Sequence, residues 1–461
     1  MEDKKLFSTV EKLNGVEKRE FTCFLQSPYF NKRTDIIRLW EWILKQKQKV
    51  WLPEQGFAHV YPDTVFEDAQ WRYAQTFLLA AIESFLAQRS YEQIPLLSDL
   101  HLVRVYRQKG ITKPLSYTLR RAEDRLAKMP RDNEFYYFQY QLEWEKYAAG
   151  ESQHRTGDNN LAAVGEALDI YLVSSKLRLA CLTASHRAVF QVEYDAVLLG
   201  ILLDYVEKSP LKEIPIVALY FHCYLALTSG SESDFRAFRR ELEQHPDLPA
   251  EERRTFLLLA VNFCIKRLNT GEKHYIREAL GLYKVGLETG VLIEHGILSR
   301  FAYKNIVALG LILEEYDWIK RFIPDYEPFL EQKYRSATRD YNMARLFFTQ
   351  KDYKKAMPLL ARVDETDLLL NLDSRVMLLK MYYETAELDA LDALLASFRI
   401  LLLRKKKVIG YHQQHYLNTV RYIQKLSRLN RNDKKSVLAF RDEVLGNKAV
   451  IEKDWLLAQV R

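Results

Sequence analysis

Apolar residues recur at intervals of three and four along most of the chain, and the strict alternation of a half-buried strand is almost absent. Val16 to Leu25 reads as a helix that stops at Ser27-Pro28, because a residue before proline is pushed out of the α region. Asn31 or Thr34 can cap a second helix with Ile36, Ile37, Trp40, Ile43 and Leu44 along one side. A loop with Pro53, Gly56 and Pro62 is expected next. A third helix then covers Phe66 to Gln88, apolar at Trp71, Phe77, Leu78, Ala81, Ile82 and Phe85. These pieces predict a small N-terminal helical domain over residues 1–95, ending at Pro95.

From residue 96 to 461 the pattern becomes a series of helices of roughly 12 to 20 residues with short breaks. Pro114, Pro130, Pro210, Pro215, Pro246 and Pro249 mark several of those breaks. Gly150 to Asn160 is the most polar stretch and is expected to be a flexible loop. The aromatic run Phe135-Tyr136-Tyr137-Phe138, with Tyr140 and Trp144, is expected to pack helix on helix. A base-stacking face would carry cations among the rings, whereas Glu134, Glu143 and Glu145 surround these.

A repeated unit is clearest at Asp340 to Val363. Tyr341, Met343, Ala344 and Phe347 share one helical face, Lys351-Asp352 makes a tight turn, and Tyr353, Ala356, Leu360 and Val363 form the facing stripe. Ala344 and Ala356 are small residues opposite the large Phe347 and Tyr353, which lets two antiparallel helices approach closely. The unit resembles a tetratricopeptide repeat (TPR). Steps of 35 residues find weaker copies, with Leu309, Ile312 and Trp318 upstream and Leu379, Tyr382 and Leu388 downstream. Arg321 and Leu391 then replace the small residue of the second helix. Another pair, Phe256 to Leu268 with Ile276 to Leu287, requires an insertion around Asn269-Thr270-Gly271. The resemblance implies a TPR-like α-solenoid over residues 96–461, with roughly ten helix pairs at the usual repeat length. Phe24-Leu25-Gln26-Ser27-Pro28-Tyr29-Phe30-Asn31-Lys32 and Lys453-Asp454-Trp455-Leu456-Leu457 together resemble a family of bacterial TPR-like proteins of uncharacterised activity. That likeness implies an all-helical protein and supplies no catalytic residue. Read on its own, the first stretch is a rigid interhelical turn with aromatic anchors.

Composition agrees with this picture: 48% hydrophobic and 28% charged residues exclude disorder, and 16 Gly with 13 Pro are about half the usual share of chain breakers. The charged start Met1-Glu2-Asp3-Lys4-Lys5 leads into no apolar core of a signal peptide. Ile216 to Thr228 is too short to span a membrane, and Val189 to Val206 carries Glu193, Asp195 and Asp204. Cys23, Cys181, Cys223 and Cys264 form no Cys-x-x-Cys pair and read as reduced thiols of a cytoplasmic protein.

Catalytic signatures are missing. Gly281, Gly286 and Gly290 lack the Lys-Ser/Thr of a phosphate loop, and neither a Gly-x-Ser-x-Gly elbow nor a His-Glu-x-x-His helix occurs. His412 and His415 can share a face but have no acid or Cys near them for a metal. His222-Cys223 and Cys181 with His186 lie in apolar helical context. The acidic pairs Glu251-Glu252 and Glu314-Glu315 read as helix-end interactions. No catalytic, cofactor-binding or metal-binding residue is therefore assigned, and a non-enzymatic function is expected.

Charge is unevenly spread. Residues 399–441 contain twelve Lys and Arg and one acid, Asp433, so they hold +11 while the rest of the chain holds −4 of the net +7. Arg404, Lys405, Lys406 and Lys407 form a run, and Arg421, Lys425 and Arg428 line one helical face opposite Tyr416, Val420, Ile423 and Leu426. These seven cations are the candidate site for an anion or acidic partner. The expected function is a scaffold that holds a peptide or protein partner on its helical-repeat surface. The alternative is association with RNA or a ribonucleoprotein through residues 399–441.

Overall fold

The fold is 79% helical, with 23 α-helices and almost no strand among the described residues. This computed structural model describes residues 2–46, 52–151, 159–190, 194, 198–363, 368–405, 409–410, 412–447 and 449–460. Two compact units divide the chain, Met1–Val173 and Ser174–Arg461.

The first unit begins with α1 (Glu2–Lys12), α2 (Gly15–Gln26), α3 (Thr34–Lys45), α4 (Pro53–Val60) and α5 (Asp68–Glu92). Asn14 starts α2 with a capping box: its side chain accepts from the Val16 and Glu17 amides, and the Glu17 carboxylate accepts from the Asn14 amide at 2.9 Å. Pro53, expected in a loop, opens helix α4 instead. Proline is tolerated at the first helical position because its missing N–H would have no partner there. One core joins the five helices, from Leu6 to Phe85. Phe21 meets the edge of Trp40 at 4.8 Å, and Trp42 meets Trp71 at 5.9 Å. The buried face of α3 is Ile36, Leu39, Trp40, Trp42 and Ile43. Leu44 is exposed, because the face centres on the two tryptophans. Phe77 is likewise exposed on α5.

Helices α6 (Pro95–Gln108), α7 (Thr112–Leu126) and α8 (Asn133–Glu151) continue this unit to the first half of α9 (Leu161–Phe190). Pro95 opens α6, and the compact unit runs on past it to Val173. Two buried carboxylates tie α6, α7 and α8 together. Asp99 accepts from Arg121 and Arg125, and Glu145 accepts from Arg104 at 2.7 Å and Arg107 at 3.0 Å. Each buried anion thus has two cations, which offsets the cost of taking it out of water. Phe135, Tyr136 and Phe138 are buried in the packing. Most of the expected loop Gly150 to Asn160 lies outside the described residues.

The second unit takes the rest of α9, then α10 (Leu199–Lys208), a 3-10 turn at Pro210–Glu213, α11 (Pro215–Ser229), α12 (Glu232–Gln244), α13 (Ala250–Asn269) and α14 (Tyr275–Glu288). A two-stranded hairpin, β1 (Ile293–Glu294) with β2 (Ile297–Leu298), precedes α15 (Arg300–Ile312). There follow α16 (Tyr316–Tyr326), a 3-10 turn at Glu327–Phe329, α17 (Arg335–Thr349), α18 (Tyr353–Leu360), α19 (Leu368–Glu384) and α20 (Leu388–Arg404). The last three are α21 (His412–Ser427), α22 (Lys434–Gly446) and α23 (Lys453–Ala458). Packing here is sequential: α11 lies on α12, α13 on α14, α15 on α16, α17 on α18 and α19 on α20. The first helices of neighbouring pairs also meet, α15 with α17 and α17 with α19.

The unit read at Asp340 to Val363 is the pair α17–α18. Tyr341, Ala344, Ala356, Leu360 and Val363 are buried together, and Phe347 and Tyr353 pack at their margin. Its turn recurs. Glu314, Lys351 and Ala386 all adopt φ near +60°, and the residue after each donates to the carbonyl five residues back: Glu315 to Gly310 at 2.9 Å, Asp352 to Phe347 at 2.8 Å, Glu387 to Tyr382 at 2.9 Å. The downstream spacing is the expected 35 residues, but the upstream spacing is 37, largely because α16 has 11 residues where α18 has 8. The upstream copy therefore pairs Val307, Gly310, Tyr316 and Ile319 with Ala344, Phe347, Tyr353 and Ala356. Ile312, expected in the core, is 58% exposed, and the second-helix position matched to Ala356 is Ile319, not Arg321, with the side chain of Ile319 packed against Gly310.

Candidate partner-binding cleft

The corrected register places equivalent positions of three helices around one cleft. Lys304, Ala308, Leu311 and Ile312 of α15 recur as Tyr341, Arg345, Phe348 and Thr349 of α17, and Val376 and Lys380 of α19 continue the series. Offsets of four, seven and eight residues put each set on one helical face. Together with Asp373, Met377, Ile451 and Glu452 they enclose about 470 Å³.

Three cations and two carboxylates meet in this cleft. The Lys304 ammonium pairs with Asp373, whose other oxygen accepts from the Tyr416 hydroxyl at 2.6 Å. The Lys380 ammonium pairs with Glu452 at 2.7 Å and lies 4.8 Å from the Phe348 ring centre; its side chain is only 9% exposed. The Arg345 guanidinium lies over Tyr341 at 5.9 Å and donates to the Lys304 carbonyl at 3.4 Å. No carboxylate among the described residues pairs with it. Burial pushes the Tyr341 phenol up, and the nearby Asp373 carboxylate adds to the shift, so the ring stays neutral. The cleft therefore offers an open guanidinium beside exposed Ile312 and the rings of Tyr341 and Phe348. Such a combination is chemically able to engage a chain segment by charge and by apolar contact.

The five described members of the seven cations singled out from sequence are not among the residues lining this cleft. Arg404 ends α20 and is exposed, and Lys405 follows it half-buried. Lys406 and Lys407 lie outside the described residues. Arg421 and Lys425 converge on Glu443 of α22, each at 2.7 Å, so their charge is partly met by an acid just beyond the counted segment. Arg428 is exposed beyond the end of α21. The described part of the run thus precedes the start of α21, whereas the stripe lies in its C-terminal half and just past it, where two of its members share one counter-ion.

Other singled-out residues are structural. Cys181 and Cys223 are buried on α9 and α11, and burial raises the Cys181 thiol far out of the reactive range. The Tyr220 hydroxyl donates to Glu252, which is buried. His412 and His415 belong to no cluster of metal-ligating side chains among the described residues. In the N-terminal motif Phe24 stacks on Phe30 at 4.2 Å, and the Asn31 amide donates to the Leu25 carbonyl at 2.9 Å, making a fixed turn. In the C-terminal motif the Trp455 indole donates to Glu384 at 2.6 Å and its ring meets Tyr383. Among the described residues no helix is long and apolar enough to cross a membrane.

Reading by sequence alone missed the cleft. Its signal was Arg345 and Lys380 one 35-residue step apart; the matching residues of α15 fall into line only at the 37-residue spacing of the upstream turns. Comparisons with protein-family models, curated proteins and solved structures found no match to this chain.

Proposed function

We propose that the protein is a non-enzymatic interaction scaffold, a TPR-like solenoid of stacked helix pairs that holds an extended peptide segment of a partner protein in the cytoplasm. One observation carries this reading: equivalent positions of α15, α17 and α19 line a single cleft containing an unpaired guanidinium and an exposed isoleucine. Helix pairs stacked in register produce such a continuous surface without further design, because each pair presents its first helix to the same side. The test is selection of a displayed random-peptide library on the full chain, with photo-crosslinking from a reactive residue placed at Thr349. Enriched peptides should crosslink at Thr349 and lose at least tenfold in affinity for Arg345→Glu. Peptides that bind the variant equally well place the partner elsewhere.

A second reading, association with RNA, rests on Arg404, Lys405 and Arg428, which have no carboxylate partner among the described residues. It predicts binding that falls steeply with salt, by about one unit of log–log slope per phosphate contacted. Changing these three to Gln should then lower that slope; an unchanged slope removes this reading.

A further inference from the structure

The chain already places one of its own segments against the cleft. Residues 449–452 lie against α21, held through their backbone: the Asn418 amide donates to the Ala449 carbonyl at 2.8 Å and the Ile451 amide donates to the Thr419 oxygen at 2.9 Å, while the Thr419 hydroxyl donates to the His415 carbonyl at 2.9 Å with the Ile451 carbonyl at 3.1 Å as its other acceptor. Thr419 is buried and Asn418 nearly so. Side chains of α21 thus satisfy the backbone of a non-helical segment whose own side chains are left to reach the cleft. The segment ends by setting Ile451 and the Glu452 carboxylate at the edge of the cleft, on Lys380.

Two features mark this seat as exchangeable. Lys380 is a nearly buried ammonium whose carboxylate lies on a residue that is itself exposed. An incoming carboxylate would replace Glu452 without changing the number of charges in the cleft, so the penalty of an unpaired buried cation is avoided. Glu452 also stands at the N-cap of α23 with a left-handed backbone, φ 60° and ψ 35°, so its carboxylate is presented from the loop and not from within a helix.

We propose that Glu452 is the internal competitor of the cleft, and that the partner segment matches it: an apolar residue followed by an acidic side chain, taking Lys380 from Glu452 and reaching Arg345. This inference rests on the cleft being the binding site. Ile451 shows the apolar half of the ligand and Glu452 the anionic half.

The probe is a blocked synthetic peptide with the sequence of residues 447–454, beside a copy with Gln in place of its Glu, titrated into the full chain. Glu452→Ala should bind the first peptide about tenfold more tightly than the parent, and the Gln copy should bind poorly to both. Adding Lys380→Met to that variant should remove the gain. In the unsubstituted chain, saturating peptide should speed amide hydrogen exchange over residues 451–456, a readout that does not depend on how any variant folds. Equal affinity for parent and Glu452→Ala, no preference between the two peptides, no binding to either protein, or unchanged exchange overturns the competitor role. Selected library peptides that still crosslink at Thr349 would leave the cleft itself standing, whereas loss of both results sinks the cleft.

Discussion

The turn between α6 and α7 and the turn between α17 and α18 have the same backbone but different residues at its tightest point. In the first unit Gly110 has φ +67° and the Ile111 amide donates to the Tyr106 carbonyl at 2.9 Å; in the second unit Lys351 has φ +60° with Asp352 donating to Phe347 at 2.8 Å. Glycine takes that conformation without steric cost, and lysine does not. Glu314 and Ala386 repeat the costly choice, so the second unit carries strain at each of three aligned turns. Packing of the flanking helices enforces the geometry there, because the helices bury enough apolar area to hold it. The cores differ in the same sense. One tryptophan-centred cluster unites α1 to α5, whereas in the second unit one cluster joins α17, α18 and α19 and another joins α19 to α23, with α19 contributing to both.

If that contrast is right, removing a central ring in the first unit should cost most. Trp71→Ala should destabilise the N-terminal core by about 3–5 kcal/mol, read as loss of the first transition in denaturant unfolding followed by fluorescence. A smaller effect on stability is expected for Ala344→Leu, about 1–3 kcal/mol, because the new methylenes must fit between α17 and α18 where Ala344 and Ala356 are fully buried. This change should leave the first-unit transition in place; if both transitions move together, the cores are not separate.

The turns supply a sharper pair. Gly110→Ala should cost about 1 kcal/mol, since nothing crowds the new Cβ and only the backbone objects. Lys351→Gly should gain about 0.5 kcal/mol, the relief of strain less the added freedom of the unfolded chain. Same-sign effects in thermal melts would show that the two turns are not equivalent.

The smallest effect is a pH dependence in the second unit. Burial, helped by the nearby Lys212 charge, holds the His222 imidazole below its usual range. The unfolded chain therefore binds the proton more readily, so stability is full above about pH 6.5 and falls as the pH drops through the lower folded value. His222→Gln should flatten unfolding free energy between pH 7 and pH 5; an unchanged slope assigns the dependence to other groups.

Much of the architecture was readable residue by residue. Tyr341, Ala344, Ala356 and Leu360 have the periodicity of a helix pair and are buried as one, and Val16 to Leu25 stops where Ser27-Pro28 requires. Pro53 was misread because proline both breaks helices and begins them, and local pattern does not separate the two roles. Ile312 was misplaced by two residues, since a fixed 35-residue step cannot register a longer α16. The basic segment was visible, but its counter-ion Glu443 fell outside the counted window.

Periodicity, capping residues and scarce chain breakers were enough for an all-helical chain, because those signals act within a few residues of one another. The cleft required tertiary structure. Lys304, Arg345, Lys380 and Glu452 are separated by 35 to 72 residues and become neighbours only when three helices stack and the chain returns along α21. Which cations keep a counter-ion and which stay open is decided by that stacking, since electrostatic pairing depends on distance in space rather than along the chain.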